Sequence, residues 1–178
     1  METRLIWISK PLTTSAKSSP VSFAFLRQHP AHVLALGFGS GLVPIAPGTA
    51  GTLVAFPIFF LTLATVPVTF QLAAVAVLFA IGVWACAVTG RDLGVVDHGA
   101  IVWDEVVAML LVLIFTPFGW AWYALAFALF RVMDILKPFP IRLADRKIKN
   151  GFGVMFDDLL AAIYVILILN ISGRLIHG

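Results

Sequence analysis

Charged residues are scarce in this sequence: only 12% of its 178 residues are Asp, Glu, Lys or Arg, whereas 61% are hydrophobic. A soluble domain of average composition carries about 25% charged residues. A surface with so little charge would not stay in water, so the composition excludes an ordinary soluble domain and predicts a membrane protein. Its length suits one domain of about four to six membrane helices, because each crossing takes about 20 residues.

Cysteine is nearly absent too. The single cysteine, Cys86, excludes an intrachain disulfide, and its position inside an apolar run predicts a small buried residue. A cysteine-dependent phosphatase loop is also excluded, because Arg91 follows Cys86 one position too early. A nucleotide-binding P-loop is lacking, since no lysine followed by serine or threonine comes after the glycine-rich segment.

Long apolar runs are what the sequence has instead, and they predict an all-α polytopic membrane protein with about five membrane-embedded helices. The runs are Thr49–Val66, Phe70–Thr89, Ile101–Phe118, Trp120–Leu136 and Val154–Ile171. We expect a cytoplasmic N-terminal tail over 1–29, a single helical membrane catalytic domain over 30–172, and a C-terminal tail over 173–178.

A segment rich in glycine and proline precedes the first full span. Gly37–Thr52 contains five glycines and two prolines in sixteen residues, a composition that argues against a regular helix. Irregular backbone at membrane depth is tolerated where it is buried in protein or lines a cavity. The start of the following run could present backbone amides to an anion, with Ser40 and Thr49 as candidate phosphate-binding residues, although close packing explains the same glycines.

The connections between the runs alternate in charge. The N-terminal tail, the 90–100 loop and the 137–153 loop carry basic residues, whereas Pro67–Thr69 and Pro117–Gly119 carry no charge. Positively charged loops stay on the cytoplasmic side. The basic loops are therefore predicted to be cytoplasmic and the C-terminus to lie outside, with Arg174 as a weak exception.

This topology brings carboxylates from distant parts of the sequence to one side of the membrane. Asp104 and Glu105 begin the third run, Asp134 lies near the end of the fourth, and Asp157 and Asp158 begin the fifth. Charges at the end of a membrane-type helix are costly and indicate a functional site. Oxygen ligands favour Mg²⁺ over zinc, so we expect Asp104, Glu105, Asp157 and Asp158 to be metal ligands.

Each of these residues also has a simpler explanation. The acidic pairs at two helix starts would stabilise the helix macrodipole, and Asp134 could form an ordinary helical ion pair with Arg131. These explanations do not predict that all the carboxylates share one layer, which is why we favour a common site.

Basic residues accompany the carboxylates. Arg131 and Lys137 flank Asp134 at i−3 and i+3, and the segment Pro138–Pro140 cannot continue the helix. Fixed cations beside an acidic metal site are used to hold a transferring phosphoryl group. We therefore expect Arg131, Lys137 and Arg142 to bind phosphate, whereas the basic residues further along the loop ordinarily bind anionic lipid headgroups.

Four blocks of the sequence together resemble the phosphatidylglycerophosphatase A family. They are Gly37–Thr49, Asp97–Glu105, Phe130–Arg142 and Gly151–Asp158, within a resemblance over 30–172. The resemblance implies a Mg²⁺-dependent lipid phosphatase of the bacterial inner membrane. Its substrate would be phosphatidylglycerophosphate, and its product phosphatidylglycerol.

The mechanism expected from both lines of reasoning is metal-assisted hydrolysis of a phosphomonoester at the cytoplasmic face. The catalytic candidates are Asp104, Glu105, Asp134, Arg131 and Lys137. A metal-activated water is one possible nucleophile, and a carboxylate that forms an acyl-phosphate is the other. Further candidates for an outer shell or a general acid are Asp92, Asp97 and His98, although a solvated loop would carry the same residues.

Other functions compete with this one. An ion-coupled transporter would also use carboxylates and glycine-broken helices, but it needs charges near the bilayer midplane, and Leu110–Thr116 and Ala161–Leu169 have none. A CDP-alcohol phosphotransferase is disfavoured because its spaced Asp-Gly-Ala-Arg signature is missing. The predicted partners are the lipid substrate and the bilayer, with no nucleic acid, and the oligomeric state is left open.

Overall fold

The computed structural model describes the backbone of residues 21–177 and the side chains of residues 21–174. Most of the predicted N-terminal tail, residues 1–20, lies outside this part, as does residue 178 at the end of the predicted C-terminal tail. The described part is all helical, with no strand, which confirms the predicted helical class. Its helices are α1 (Phe23–Leu26), α2 (Pro30–Ala35), α3 (Pro47–Ile58), α4 (Val68–Leu93), α5 (Trp103–Ile114), α6 (Trp120–Leu136), α7 (Ile141–Lys147) and α8 (Gly151–His177).

Helix α3 begins two residues before the predicted run Thr49–Val66, so the expectation that Gly37–Thr52 is not a regular helix was wrong for its last six residues. A 3-10 segment covers Gly37–Leu42, but a regular helix begins at Pro47. Proline suits the first turn of a helix, because its fixed φ is helical and its missing N–H would have no partner there. Further along, Pro57 removes a helical donor, and the helix continues as a π-helical turn at Phe59–Leu63.

Helix α5 lies at the centre of the bundle, where it packs against α3, α4 and α8. Trp103, Val106, Met109, Leu110 and Leu113 on this helix are each no more than 2% exposed. Burying a large apolar side chain stabilises a fold by about 1.5–3 kcal/mol. The helix that begins with the acidic pair is therefore held firmly by its neighbours on most sides.

The outer helices are long and apolar. Val68–Leu93 and Gly151–Arg174 have the length and hydropathy needed to cross a membrane, and the shorter Pro47–Leu63 is also apolar. Large side chains such as Leu61 (83% exposed) and Leu167 (55% exposed) lie on the outside of the bundle. Apolar residues in such positions are expected to face lipid.

The two ends of the bundle differ in chemistry. At one end, the buried Gln71 amide of α4 donates hydrogen bonds to the carbonyls of Leu63 (2.9 Å) and Val66 (3.0 Å), which closes the α3–α4 turn. At the other end, the starts of α3, α5 and α8 meet the end of α6 through the charged side chains described below. The carboxylates predicted from the sequence lie at this second end.

Candidate active site

Arg131 on α6 joins three helices at the charged end of the bundle. Its Nη1 atom lies 2.8 Å from Asp134 Oδ2 on the same helix and 3.1 Å from Glu105 Oε1 on α5. The same nitrogen lies 3.4 Å from the Thr52 hydroxyl oxygen on α3. All these side chains are largely buried, so the guanidinium neutralises two carboxylates that have lost most of their contact with water.

Glycines let α3 approach Glu105 closely. A Cβ atom at Gly48 would overlap Glu105 Oε1 and would lie 3.0 Å from Arg131 Nη1, and one at Gly51 would lie 3.0 Å from Glu105 Oε2. The Thr52 hydroxyl is oriented by donating to the Gly48 carbonyl at 2.8 Å. The glycines of this segment therefore shape one wall of the site.

Lys137 forms the second ion-pair centre. We expected it to flank Asp134 along α6, but its ammonium contacts Asp157 on α8 and lies 3.4 Å from Asp145 on α7. The reason is local, because Lys137 ends α6 in a left-handed conformation with a φ of 43°, which turns the chain away from the helix. Burial disfavours its charge, but the hydrogen bond and charge of Asp157, with the charge of Asp145, raise the pKa of Lys137.

Asp104 and Asp158 complete the group, with exposures of 8% and 3%. Asp104, Asp134, Asp157 and Glu105 all lie within electrostatic range of Asp158. The structure therefore brings together the five carboxylates predicted from the sequence. Within the described part of the chain, Asp104 Oδ1, Glu105 Oε2 and Asp158 Oδ2 are buried without a hydrogen-bond partner, a costly state unless a cation compensates.

The chemistry of these donors suits Mg²⁺, which prefers carboxylate oxygens. The geometry is less complete, because residues 21–174 contain no group of three or more His, Cys, Asp or Glu side chains placed to hold a metal ion. Arg131 and Lys137 already contact one oxygen each of Glu105 and Asp157. The predicted ligand set thus has the right donors and free buried oxygens, and Mg²⁺ stays a prediction.

The sequence matches a known protein family over most of its length. The family model of phosphatidylglycerophosphatase A matches residues 33–172. The chain belongs to the phosphatidylglycerophosphatase A family. It is 50% identical over 141 residues to phosphatidylglycerophosphatase A of Haemophilus influenzae, covering 79% of this chain and 86% of that protein. It is 46% identical over 138 residues to phosphatidylglycerophosphatase A of Escherichia coli, covering 76% of this chain and 78% of that protein.

A third relative carries a different name. A putative phosphatidylinositol-3-phosphatase of Bacteroides thetaiotaomicron is 40% identical over 147 residues, covering 79% of this chain and 91% of that protein. No solved structure matches the chain significantly. The family confirms the resemblance seen in the sequence, and the bacterial relatives together with the two span-length helices indicate a bacterial membrane protein.

Not every predicted phosphate-binding residue of this family member reaches the carboxylates. The Ser40 hydroxyl donates to the Gly37 carbonyl at 2.8 Å. Arg142 is exposed and donates from Nη2 to the Leu136 carbonyl at 3.1 Å. Thr49 is partly buried on α3, next to Gly48. Ser40 and Arg142 therefore make local backbone contacts, and their roles in phosphate binding stay predictions.

Sequence reasoning missed two buried polar residues, one in the site and one outside it. Thr52 was not singled out, although its spacing of four residues from Gly48 places it on the same helical face. His32 was also missed: it is 2% exposed, its Nδ1 lies 3.0 Å from the Thr89 hydroxyl, and its Nε2 lies 3.5 Å from Asp92. No signal in the sequence pairs His32 with Thr89 or Asp92, which lie 57 and 60 positions later.

Proposed function

We propose that this protein hydrolyses phosphatidylglycerophosphate to phosphatidylglycerol and inorganic phosphate. The family supports this activity, since relatives at 46–50% identity are named phosphatidylglycerophosphatase A, and it gives no support to a transporter. The observation that carries the proposal is the meeting of buried carboxylates from α5, α6 and α8 with the guanidinium of Arg131 and the ammonium of Lys137. Cations held next to carboxylates are suited to phosphoryl transfer.

The proposed setting is the inner membrane of a bacterium, with about five membrane-embedded helices and the site at the cytoplasmic face. Residues 30–172 would form the catalytic domain between two short tails, 1–29 and 173–178. The basic loops at the charged end support this orientation. The lipid would then reach the carboxylates by diffusing within the membrane, with its headgroup at the boundary.

Mg²⁺ would be held by Asp104, Glu105, Asp157 and Asp158. When bound, it supplies positive charge that stabilises phosphoryl oxygens and activates water. Binding of the metal would also compensate the carboxylate oxygens that are buried without a donor.

Arg131 and Lys137 would bind the phosphate itself. The planar guanidinium of Arg131 presents two parallel donors that match phosphate oxygens, and Asp134 at 2.8 Å keeps it oriented. Lys137 adds a compact charge beside Asp157. The leaving glycerol oxygen takes up a proton, and His98 is a candidate donor when its ring is protonated on both nitrogens. In the structure its Nδ1 accepts the Ala100 N–H at 3.1 Å, a contact that the imidazolium form would give up.

The test is release of inorganic phosphate from phosphatidylglycerophosphate by the purified protein in detergent. Release is expected with Mg²⁺ and should stop when EDTA removes it. Asp104→Asn and Asp158→Asn should each lower kcat by about 10²-fold or more, the scale on which lost electrostatic stabilisation acts, while thermal melting shows that the variants fold. No release with any divalent metal would overturn the proposal. Oxygen-18 from labelled water appearing in a carboxylate after one turnover would overturn direct attack by water.

A further inference from the structure

A second concave surface adjoins the candidate active site. It is a groove with a volume of about 330 Å³. The residues that line it are Lys137, Pro138, Phe139, Arg142, Leu143 and Arg146. We call it the α6–α7 groove. Because Lys137 also contacts Asp157, the groove opens directly beside the carboxylates.

Most of the positive charge in the α6–α7 groove is not neutralised by acidic side chains of residues 21–174. Asp145 pairs with Lys137 and Lys149 at 3.4 Å each, and no ion pair involves Arg142 or Arg146 within residues 21–174. Arg142 donates one hydrogen bond, from Nη2 to the Leu136 carbonyl. Two guanidinium groups with free donors in a concave site attract an anion and match the geometry of phosphate.

The groove also has an apolar edge. Phe139 is 78% exposed and Leu143 is 42% exposed, and the neighbouring Ile135 and Leu136 at the end of α6 are 69% and 60% exposed. A free anion would gain nothing from such an edge, whereas a phospholipid carries its phosphate next to hydrocarbon. The combination favours a lipid headgroup as the ligand.

We propose that the α6–α7 groove binds the phosphodiester of the lipid substrate, while the carboxylate site takes its terminal phosphomonoester. This inference rests on the proposed function, since phosphatidylglycerophosphate carries both groups, separated by a glycerol unit. Lys137 lies between the two subsites. Arg142 and Arg146 then act as specificity-determining residues, because they select lipids that have a phosphodiester next to the phosphate to be removed.

Two inhibitors separate the subsites. Phosphatidylglycerol retains the phosphodiester and lacks the phosphomonoester, whereas inorganic phosphate resembles the group that is released. Arg146→Gln should raise the KM for phosphatidylglycerophosphate and the inhibition constant of phosphatidylglycerol about tenfold, which corresponds to the loss of one hydrogen bond to a charged group. The inhibition constant of inorganic phosphate should not change. Arg142→Gln should act in the same direction.

Lys147→Gln is the matched control, because Lys147 is an exposed cation on the same helix that does not line the groove. Its constants should stay at wild-type values. An equal rise in Lys147→Gln would show general attraction of the membrane surface, and an equal rise for inorganic phosphate would place Arg146 in the phosphomonoester site. Unchanged constants in Arg146→Gln would also overturn the proposal.

A binding measurement keeps this test separate from the activity. Phosphatidylglycerol in mixed micelles of a nonionic detergent should raise the melting temperature of the wild-type protein more than diacylglycerol, which lacks the phosphodiester, does. Arg146→Gln should lose this difference, and Lys147→Gln should keep it. If the wild type releases no phosphate but shows this pattern, the proposed function fails and the groove remains a phospholipid site. If the two lipids act alike on the wild type, the groove is not such a site.

Discussion

At the scale of single residues, the site depends on what Gly48 lacks. Its missing side chain lets α3 lie against Glu105 Oε1, and the same carboxylate oxygen is held by Arg131 at 3.1 Å. The backbone, the carboxylate and the guanidinium thus occupy one tightly packed contact. A single methyl group is enough to disturb it.

Gly48→Ala should therefore impair catalysis, although the substitution by itself should make helix α3 more stable. Alanine is favoured over glycine inside a helix by about 1 kcal/mol, but its Cβ would force Glu105 out of place. Displacements of about 1 Å at a reacting group can lower rates about 10²-fold, and we expect a fall in kcat/KM of that order. Phosphate release and thermal melting would be measured together.

Gly173→Ala is the matched control, because a Cβ there would meet nothing within 4 Å and the residue is also helical. It should keep wild-type kcat/KM. If Gly48→Ala did so as well, the close contact with Glu105 would not matter for the reaction.

The acidic members of the site could be predicted from the sequence, and the glycines could not. Asp104 and Asp158 stand out because a carboxylate in an apolar helix demands a reason. Gly48 has two ordinary explanations, a break in the helix or a close contact, and the contact is with Glu105, 57 positions later in the chain. A sequence alone does not show which atom packs against a glycine.

At the scale of elements, the helices follow the apolar runs closely. The run predicted over Trp120–Leu136 and helix α6 have the same bounds, because Gly119 and Pro138 mark both ends. Helix α8 begins earlier than the predicted Val154, at Gly151, since Gly151 and Gly153 are packing glycines that need not end a helix. Helix α7 was missed, because a seven-residue basic segment has no apolar periodicity to indicate it.

The α3–α4 turn gives a prediction about stability alone. Gln71→Met keeps the size of the side chain but removes the donor of two buried hydrogen bonds, to Leu63 and Val66. Leaving buried carbonyls without partners costs about 1–3 kcal/mol, so the melting temperature should fall. The kcat at a temperature where the variant is folded should match the wild type, because this turn is at the end opposite the carboxylates.

The comparison variant for this prediction is Asn170→Leu. Asn170 is exposed, and its amide donates to the Ile166 carbonyl one turn earlier in its own helix, so its loss should change the melting temperature little. A similar drop in both variants would contradict a special role for Gln71.

At the scale of the whole molecule, composition did not predict which helix lies at the centre of the bundle and which helices surround it. All the long helices are apolar around most of their circumference, so the sequence does not distinguish a face that contacts lipid from one that contacts protein. The structure places α5 inside and leaves residues such as Leu61 and Leu167 outside. The orientation in the membrane was argued only from the basic loops.

Orientation can be measured by labelling single cysteines in a Cys86→Ala background. Lys147→Cys lies on α7 at the charged end, and Phe118→Cys lies in the turn between α5 and α6. In intact spheroplasts, a membrane-impermeant maleimide should label position 118 and should reach position 147 only after lysis. The Cys86→Ala parent serves as the blank, because it has no cysteine left. The reverse pattern would place the active site on the outer side.

The burial of α5 has a consequence for how the protein responds to changes in the thickness of the membrane. The helix has 12 residues, so it is about 18 Å long, well short of a hydrocarbon core of about 30 Å. Because protein surrounds it on most sides, lipid tails do not determine its depth. When temperature alters the thickness of the bilayer, we expect the outer helices to adjust by tilting. We expect the reaction centre to keep its shape meanwhile, so that a change in fatty-acid composition should leave phosphate release largely unaffected.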